Sequence, residues 1–408
     1  MNLNVWLYGR HLATLTEPGR LEYRLEFTEE ALDTFGQRRG LLSLSLPTTA
    51  KPLETRQVRN FLDGLLPEGQ IRSEVARRAG VADYDVMGLL AQVGRECAGA
   101  VQVLEPGLTP EEGHLEPLSD DEVVKLVTEL ACARLGKSLA QHASLAGMQD
   151  KILLTRTVEG WAWPVEGAMS THIVKPQPLG MPLDTLVLSE HWAMGIAAAA
   201  GLDVAETVFQ MFEDRDAIVV TRYDRRDGQR VHQEDFCQAL GYAPNDKYET
   251  DRKGPSRFSQ IARIVRNSVV DRHAFRVDML TAATFNVVIG NGDSHSKNYS
   301  LLISESGEAR LAPLYDVAPT LHLNENYRNS GQRIGSKVRL DAITCQDLVD
   351  EAASWGMGVE DAAATVARTV EATAAAIHGA DVPARLQKTV DSLRSFVDRR
   401  CVPGVLLP

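Results

Sequence analysis

Apolar positions change their period several times along the chain, and each change marks an element. Residues 2–8 alternate apolar and polar side chains up to a turn at Gly9, which predicts a strand. Residues 23–27 and 41–46 repeat that pattern between Gly36, Gly40 and Pro47. Helical spacing takes over at 71–79 and 86–93, the second helix closing at Gly94, before a further strand at 100–104. Three prolines and two glycines within 105–117 mark a linker. Ser119 and Glu122 then form a capping box ahead of the stripe Val123, Val124, Val127 and Leu130, with Gly136 as the helix stop.

Strands are predicted again at 152–154, 171–176 and 217–223, with Trp161 and Trp163 packing a strand or an interlobe surface. The helix 184–200 puts Leu186, Glu190, Ala193, Met194 and Ala197 on one face. A strand-rich half with one helix therefore spans roughly 137–230. Beyond it helical periodicity dominates, at 233–241, 258–270, 276–289, 346–355, 359–378 and 383–400. A hairpin is expected where 299–303 and 309–314 bracket Ser304-Glu-Ser-Gly307. Residues 249–256 and 321–335 read as loops, the first of them exposed.

One segment fits neither period. Gly290-Asn291-Gly292-Asp293-Ser294-His295-Ser296-Lys297-Asn298 follows an apolar run and brings a carboxylate, an ammonium and an amide within one tight turn. As an isolated segment it is a polar loop; what lies around it gives it chemistry. Asp293 precedes Asn298 by five residues, and Asp316 ends the second strand of the expected hairpin. In protein-kinase catalytic loops that interval separates the aspartate that orients the incoming hydroxyl from an asparagine on the metal, and a metal-binding aspartate follows later.

Upstream, Lys175 sits in an apolar strand and Glu190 on the apolar face of a helix. A buried charge of either kind needs a partner. Lys175 is either a solvent-tipped edge residue or a phosphate ligand, and Glu190 is its natural counter-ion. The small-residue segment Ser144-Leu-Ala-Gly-Met-Gln-Asp-Lys151 runs into a strand. It is a plain turn, or a loop whose backbone N–H groups lie over phosphates.

Composition narrows the class. A chain of 408 residues exceeds what one core holds, so two or three packed units are expected. A net charge of −12 argues against broad contact with nucleic acid, though a basic partner could bind DNA for it. Cys97, Cys132, Cys237, Cys345 and Cys401 are scattered without metal-ligand spacing, which suggests a reducing compartment. With no secretory pattern at the start and no long apolar run, a cytoplasmic location is expected. The histidines offer no zinc site.

Taken together the motifs resemble the HipA family of bacterial serine/threonine kinase toxins. Asn291 to Ser300 is similar to that family's catalytic segment and Tyr315-Asp316 to its metal-binding segment. Ser144 to Lys151 resembles its phosphate loop, and Thr171-His-Ile-Val-Lys175-Pro176 its nucleotide-contacting strand. Phe61 to Pro67, Asp85 to Leu90, Arg222 to Arg226 and Gln233 to Gly241 extend the likeness, which covers about residues 3–325. Met148, Asp150 and Ser294 depart from residues frequent in the family.

The resemblance implies an α+β chain with a two-lobed protein-kinase-like fold: a strand-rich N-lobe at 118–230, a mainly helical C-lobe at 231–408, and a small strand-rich subdomain at 1–106. It implies Asp293 as the catalytic residue, Asn298 and Asp316 as Mg²⁺ ligands, and ATP contacts from Ala146, Gly147, Met148, Gln149, Asp150, Lys151, Lys175, Glu190, His295 and Lys297. His295 also serves the geometry of its own loop. Ser144 is the implied site of inactivating autophosphorylation. The implied partners are a HipB-like DNA-binding antitoxin, which would bring DNA only indirectly, and an aminoacyl-tRNA synthetase, foremost the glutamate enzyme, as substrate. A scaffold that only holds an antitoxin and a small-molecule kinase are the alternatives.

Overall fold

The computed structural model describes residues 1–53, 56–131, 151–179, 183–249, 253–402 and 405–406, without the side chains from 401 onward. The chain forms two compact units. The first comprises Met1–Leu179, Gln210–Pro244 and Leu302–Glu308; the second comprises Gly180–Phe209, Asn245–Leu301 and Ala309–Pro408.

Two antiparallel sheets organise the first unit. In one, β1 (Asn2–Leu7), β2 (Arg10–Thr16), β3 (Arg24–Phe27) and β4 (Val101–Leu104) lie in the order β3-β2-β1-β4. Alternation along β1 buries Leu3, Val5 and Leu7 on one face, and they share a core with Phe61, Leu62 and Leu89. The other sheet contains β5 (His114–Leu118), β6 (Ile152–Arg156), β7 (Trp161–Val165), β8 (His172–Pro176), β9 (Thr207–Phe212) and β10 (Arg215–Thr221), in the order β5-β7-β6-β8-β10-β9. The pairs β5–β7, β7–β6, β6–β8 and β8–β10 are antiparallel.

A buried charge network fastens the end of β10 to the segment before β4. Arg222 lies 3.0 Å from Glu96 and 2.8 Å from Asp224, and Arg225 lies 3.0 Å from the same Glu96 oxygen. Burial opposes ionisation of Glu96, but the three guanidiniums of Arg225, Arg230 and Arg222 hold its carboxyl down at about 2.

In the second unit the long helix Val359–Gly379 packs against Arg272–Ile289, Cys345–Ser354 and Leu186–Ala199. The helix Arg272–Ile289 is capped at its start by Asp271, whose carboxylate accepts from the backbone N–H of His273 and Ala274, each at 2.9 Å. It ends at Gly290, which takes the left-handed φ of 75° that closes such an end. Among the described residues no helix is long and apolar enough to cross a membrane.

Several expectations meet a different structure. The segment 41–46 is not a strand; it holds only an isolated bridge between Ser43 and Leu46, and its adjacent Leu41 and Leu42 are both buried, which one strand face cannot do. The linker expected at 105–117 becomes strand β5 from His114, an edge strand where Pro117 is tolerated. The helix expected at 233–241 is a strand, His232–Asp235, followed by the short helix Phe236–Leu240. Asp235 explains the break, because it forms a capping box with Gln238 and so starts the helix there. The loop expected at 321–335 contains the strand Asn329–Ile334, which pairs with Lys337–Arg339. The capping box of Ser119 and Glu122 is present, with Glu122 accepting from the Ser119 backbone N–H at 2.8 Å.

Candidate active site

The turn that follows Gly290 is built by its own polar side chains. Asn291 donates to the Asn286 amide oxygen at 2.8 Å and accepts from the backbone N–H of Asp293 at 3.1 Å. Thr320 accepts from the Gly292 N–H at 2.8 Å. The carbonyl of Asp293 accepts twice, from the His295 N–H at 2.7 Å and from the Asn298 side-chain amide at 2.8 Å. That second bond commits the Asn298 nitrogen to the loop, so the amide oxygen is the atom the side chain has left to accept with. The interval of five between Asp293 and Asn298 is thus closed by a direct contact.

Asp316 joins this turn through its neighbour. The Tyr315 hydroxyl donates to the Lys297 carbonyl at 2.7 Å and lies 2.7 Å from the Ser300 hydroxyl. Asp316 takes a left-handed φ of 58°, a conformation that aspartate tolerates better than most residues. Its carboxylate acts electrostatically on His295 and on Tyr248. The structure therefore brings Asp293, His295, Lys297, Asn298 and Asp316 together.

His295 is buried, and burial with the positive charge of Lys247 lowers its pKa to about 4 against the opposing pull of Asp316. Among the described residues its buried Nδ1 has no hydrogen-bond partner.

The segment expected to be an exposed loop is exposed at 253–255 but buried where its two ends meet the fold. Glu249 and Ser256 are buried. Glu249 accepts from Arg333 Nε at 2.7 Å, from the Arg333 N–H at 3.2 Å and from the Arg257 N–H at 3.1 Å. The carbonyl of Lys247 accepts from the Ser296 N–H at 3.0 Å and from Arg257 Nη1 at 2.7 Å. Between them stands Tyr248, whose hydroxyl donates to the Asp293 carboxylate and whose ring meets His295 edge-on at 5.1 Å. Burial and the charge of Asp293 push the Tyr248 hydroxyl far above its ordinary pKa, so it stays a donor. Sequence reasoning missed Tyr248, Arg257 and Arg333. A tyrosine between Lys247 and Glu249 was a visible signal, but its partner in the turn was not.

Lys175 and Glu190 belong to different units. Lys175 is buried on β8, opposite Ile218 of β10. Glu190 is buried within the helix Leu186–Ala199, whose residues Val187, Ala193 and Ala197 are buried too. Lys151 is the half-buried residue immediately before β6. Ser144, Ala146, Gly147, Met148, Gln149 and Asp150 lie outside the described residues.

Comparison with known proteins decides the family. Residues 3–104 match the model described as the HipA N-terminal domain, and residues 143–377 match the HipA-like C-terminal domain. The chain belongs to the HipA family. Y4mE of Sinorhizobium fredii is 34% identical over 387 residues, covering 92% of this chain and 90% of that protein. The serine/threonine-protein kinase toxin HipA of Shewanella oneidensis is 32% identical over 285 residues, covering 64% of this chain and 63% of that one. A solved Shewanella oneidensis HipA, in a complex with HipB and its operator DNA, superposes with a TM-score of 0.81 at 24% identity. That match covers 98% of this chain and 96% of the other, and it establishes the HipA fold here: two-lobed and α+β, with a strand-rich N-terminal region and a helical C-terminal one.

Proposed function

We propose that this HipA-family chain is a serine/threonine protein kinase that uses Mg-ATP, and the toxin of a toxin–antitoxin pair. One observation carries the reading: Asp293 and Asn298 are bonded within one turn, and Tyr315 ties the neighbouring Asp316 to it, in the chain order of the protein-kinase template. In the reaction the acceptor hydroxyl oxygen bonds to the γ-phosphorus, the bond from that phosphorus to the bridging oxygen of ADP breaks, and the acceptor proton passes to Asp293.

The donor set suits a hard cation. Asn298 and Asp316 offer amide and carboxylate oxygens, and among the described residues no cluster of three His, Cys, Asp or Glu side chains forms a metal cage. A Mg²⁺ ion held by one or two protein oxygens and completed by phosphate and water matches that supply. When bound, it neutralises charge on the phosphates. Asp293 orients the acceptor hydroxyl, and the family resemblance assigns Lys175 and Glu190 to the nucleotide. Lys151, with Ala146, Gly147, Met148, Gln149 and Asp150, is assigned to the phosphate loop. His295 and Lys297 complete the nucleotide side.

The name of the Shewanella oneidensis relative supports the kinase and toxin reading, and its crystallised complex supports a HipB-like, DNA-binding antitoxin as partner. The family resemblance further suggests an aminoacyl-tRNA synthetase, foremost the glutamate enzyme, as substrate and Ser144 as an inactivating autophosphorylation site. Calorimetric titration with Mg-ATP tests the foundation. Binding in the micromolar to millimolar range, weakened about tenfold or more by Asn298→Ala or Lys175→Ala, is expected. No binding at millimolar nucleotide would instead leave a scaffold for the antitoxin.

A further inference from the structure

The Tyr248 hydroxyl reaches the turn from a segment 45 residues earlier in the chain. It donates to Oδ1 of Asp293, the carboxylate that must meet the acceptor. A carboxylate turns easily about its last bond, so a donor fixed on one oxygen sets where the other oxygen points. The value of such a contact depends on how firmly the donor is held.

Tyr248 is held from both sides. On one side the Lys247 carbonyl accepts from the Ser296 N–H at 3.0 Å and from Arg257 Nη1 at 2.7 Å. Arg257 Nη1 also donates to the Ser296 hydroxyl at 2.6 Å, so one guanidinium clamps the tyrosine segment and the turn together. On the other side the Glu249 N–H donates to the Gly331 carbonyl at 2.9 Å, and the Glu249 carboxylate is locked to Arg333. The ring also packs edge-on against His295.

As a residue Tyr248 is nevertheless 39% exposed. A movable cap over Asp293 would need a hinge, and the backbone is hydrogen-bonded on one flank to the turn and on the other to Gly331.

We propose that Tyr248 is a positioning residue for phosphoryl transfer, fixing the Asp293 carboxylate in the orientation that receives the acceptor hydroxyl. This rests on the kinase reading of Asp293. Prior orientation shortens the path to a near-attack arrangement, and small misplacements of a catalytic group are expensive in rate. The effect belongs to the chemical step and leaves nucleotide affinity alone.

The test compares wild type, Tyr248→Phe and Tyr248→Leu as purified full chains. The acceptor is the total protein of a heat-treated bacterial lysate, and the readout is the initial rate of label transfer from γ-labelled ATP. Tyr248→Phe is expected to lower kcat about ten- to hundredfold while KM for ATP and the Mg-ATP dissociation constant stay within about twofold of wild type. Thermal unfolding shows whether each variant is folded. If Phe perturbs folding, Leu, which also lacks the hydroxyl, provides the comparison. A folded variant with unchanged kcat overturns the inference, and one with raised kcat shows that Tyr248 is a displaceable cap. Loss confined to KM for ATP would also overturn it. If wild type itself transfers no label, the kinase reading falls and takes this inference with it, an outcome distinct from an active wild type matched by its variants.

Discussion

Arg333 and Glu249 form a buried ion pair, with Nε 2.7 Å from the carboxylate, that joins the strand Asn329–Ile334 to the segment carrying Tyr248. Burial pushes the Glu249 carboxyl up even with the guanidinium beside it, so the pair holds a charge that the interior resists. Removing one partner strands the other. Arg333→Met is expected to lower the unfolding free energy by about 3–5 kcal/mol in urea titrations. The double change with Glu249→Gln should recover part of that loss, and a loss equal to or greater than the single variant's would contradict the pairing.

Gly331 and His295 approach each other so closely that the glycine has a structural reason. A Cβ at position 331 would lie 2.5 Å from the His295 nitrogen and 2.7 Å from its Cα, both backbone atoms. The turn must shift to admit it. Gly331→Ala is therefore expected to reduce phosphate transfer about tenfold or more, as a displaced catalytic group does. Gly335→Ala serves as a comparison for activity, since a Cβ at 335 meets nothing within 4 Å, although its φ of 59° adds local strain. Equal activity in wild type and Gly331→Ala would show that the turn yields without consequence.

Local chemistry made the turn legible in sequence. Gly290, Asn291, Gly292 and Asp293 break both apolar periods, and several of the bonds that shape the turn are short-range, such as Asn291 to Asn286 and Asn298 to Asp293. The capping box at Ser119 was legible for the same reason. What escaped depends on distant residues. Glu249 and Ser256 read as exposed because they are polar, yet Glu249 is satisfied by Arg333, 84 residues away, and Ser256 by Glu351, 95 residues away. Polar character predicts exposure only when no partner arrives from elsewhere in the fold. The strand His232–Asp235 reads as helix in the sequence because it runs directly into the helix that its last residue, Asp235, caps.

Glu234, in the first unit, carries a pH signature. It is buried and accepts from the Leu44 N–H at 2.9 Å, and burial raises its pKa from 4.5 to about 8. The unfolded chain ionises first as pH rises. Stability from this group is therefore intact below 4.5 and is lost from there to about 8, at roughly 1.4 kcal/mol per pH unit through the window. Glu234→Gln keeps an acceptor for Leu44 and removes the titration. The difference in unfolding free energy, variant minus wild type, should grow in the variant's favour across that range in denaturant titrations. A difference that stays flat with pH would contradict it.

The central claim places phosphoryl transfer at Asp293. The most direct measurement compares wild type and Asp293→Ala for label transfer from γ-labelled ATP to themselves and to lysate protein, with circular dichroism and Mg-ATP titration as checks on fold and nucleotide binding. Wild type should transfer label, and the variant should bind Mg-ATP and remain folded while transferring none. Label transfer by Asp293→Ala at the wild-type rate would contradict the account.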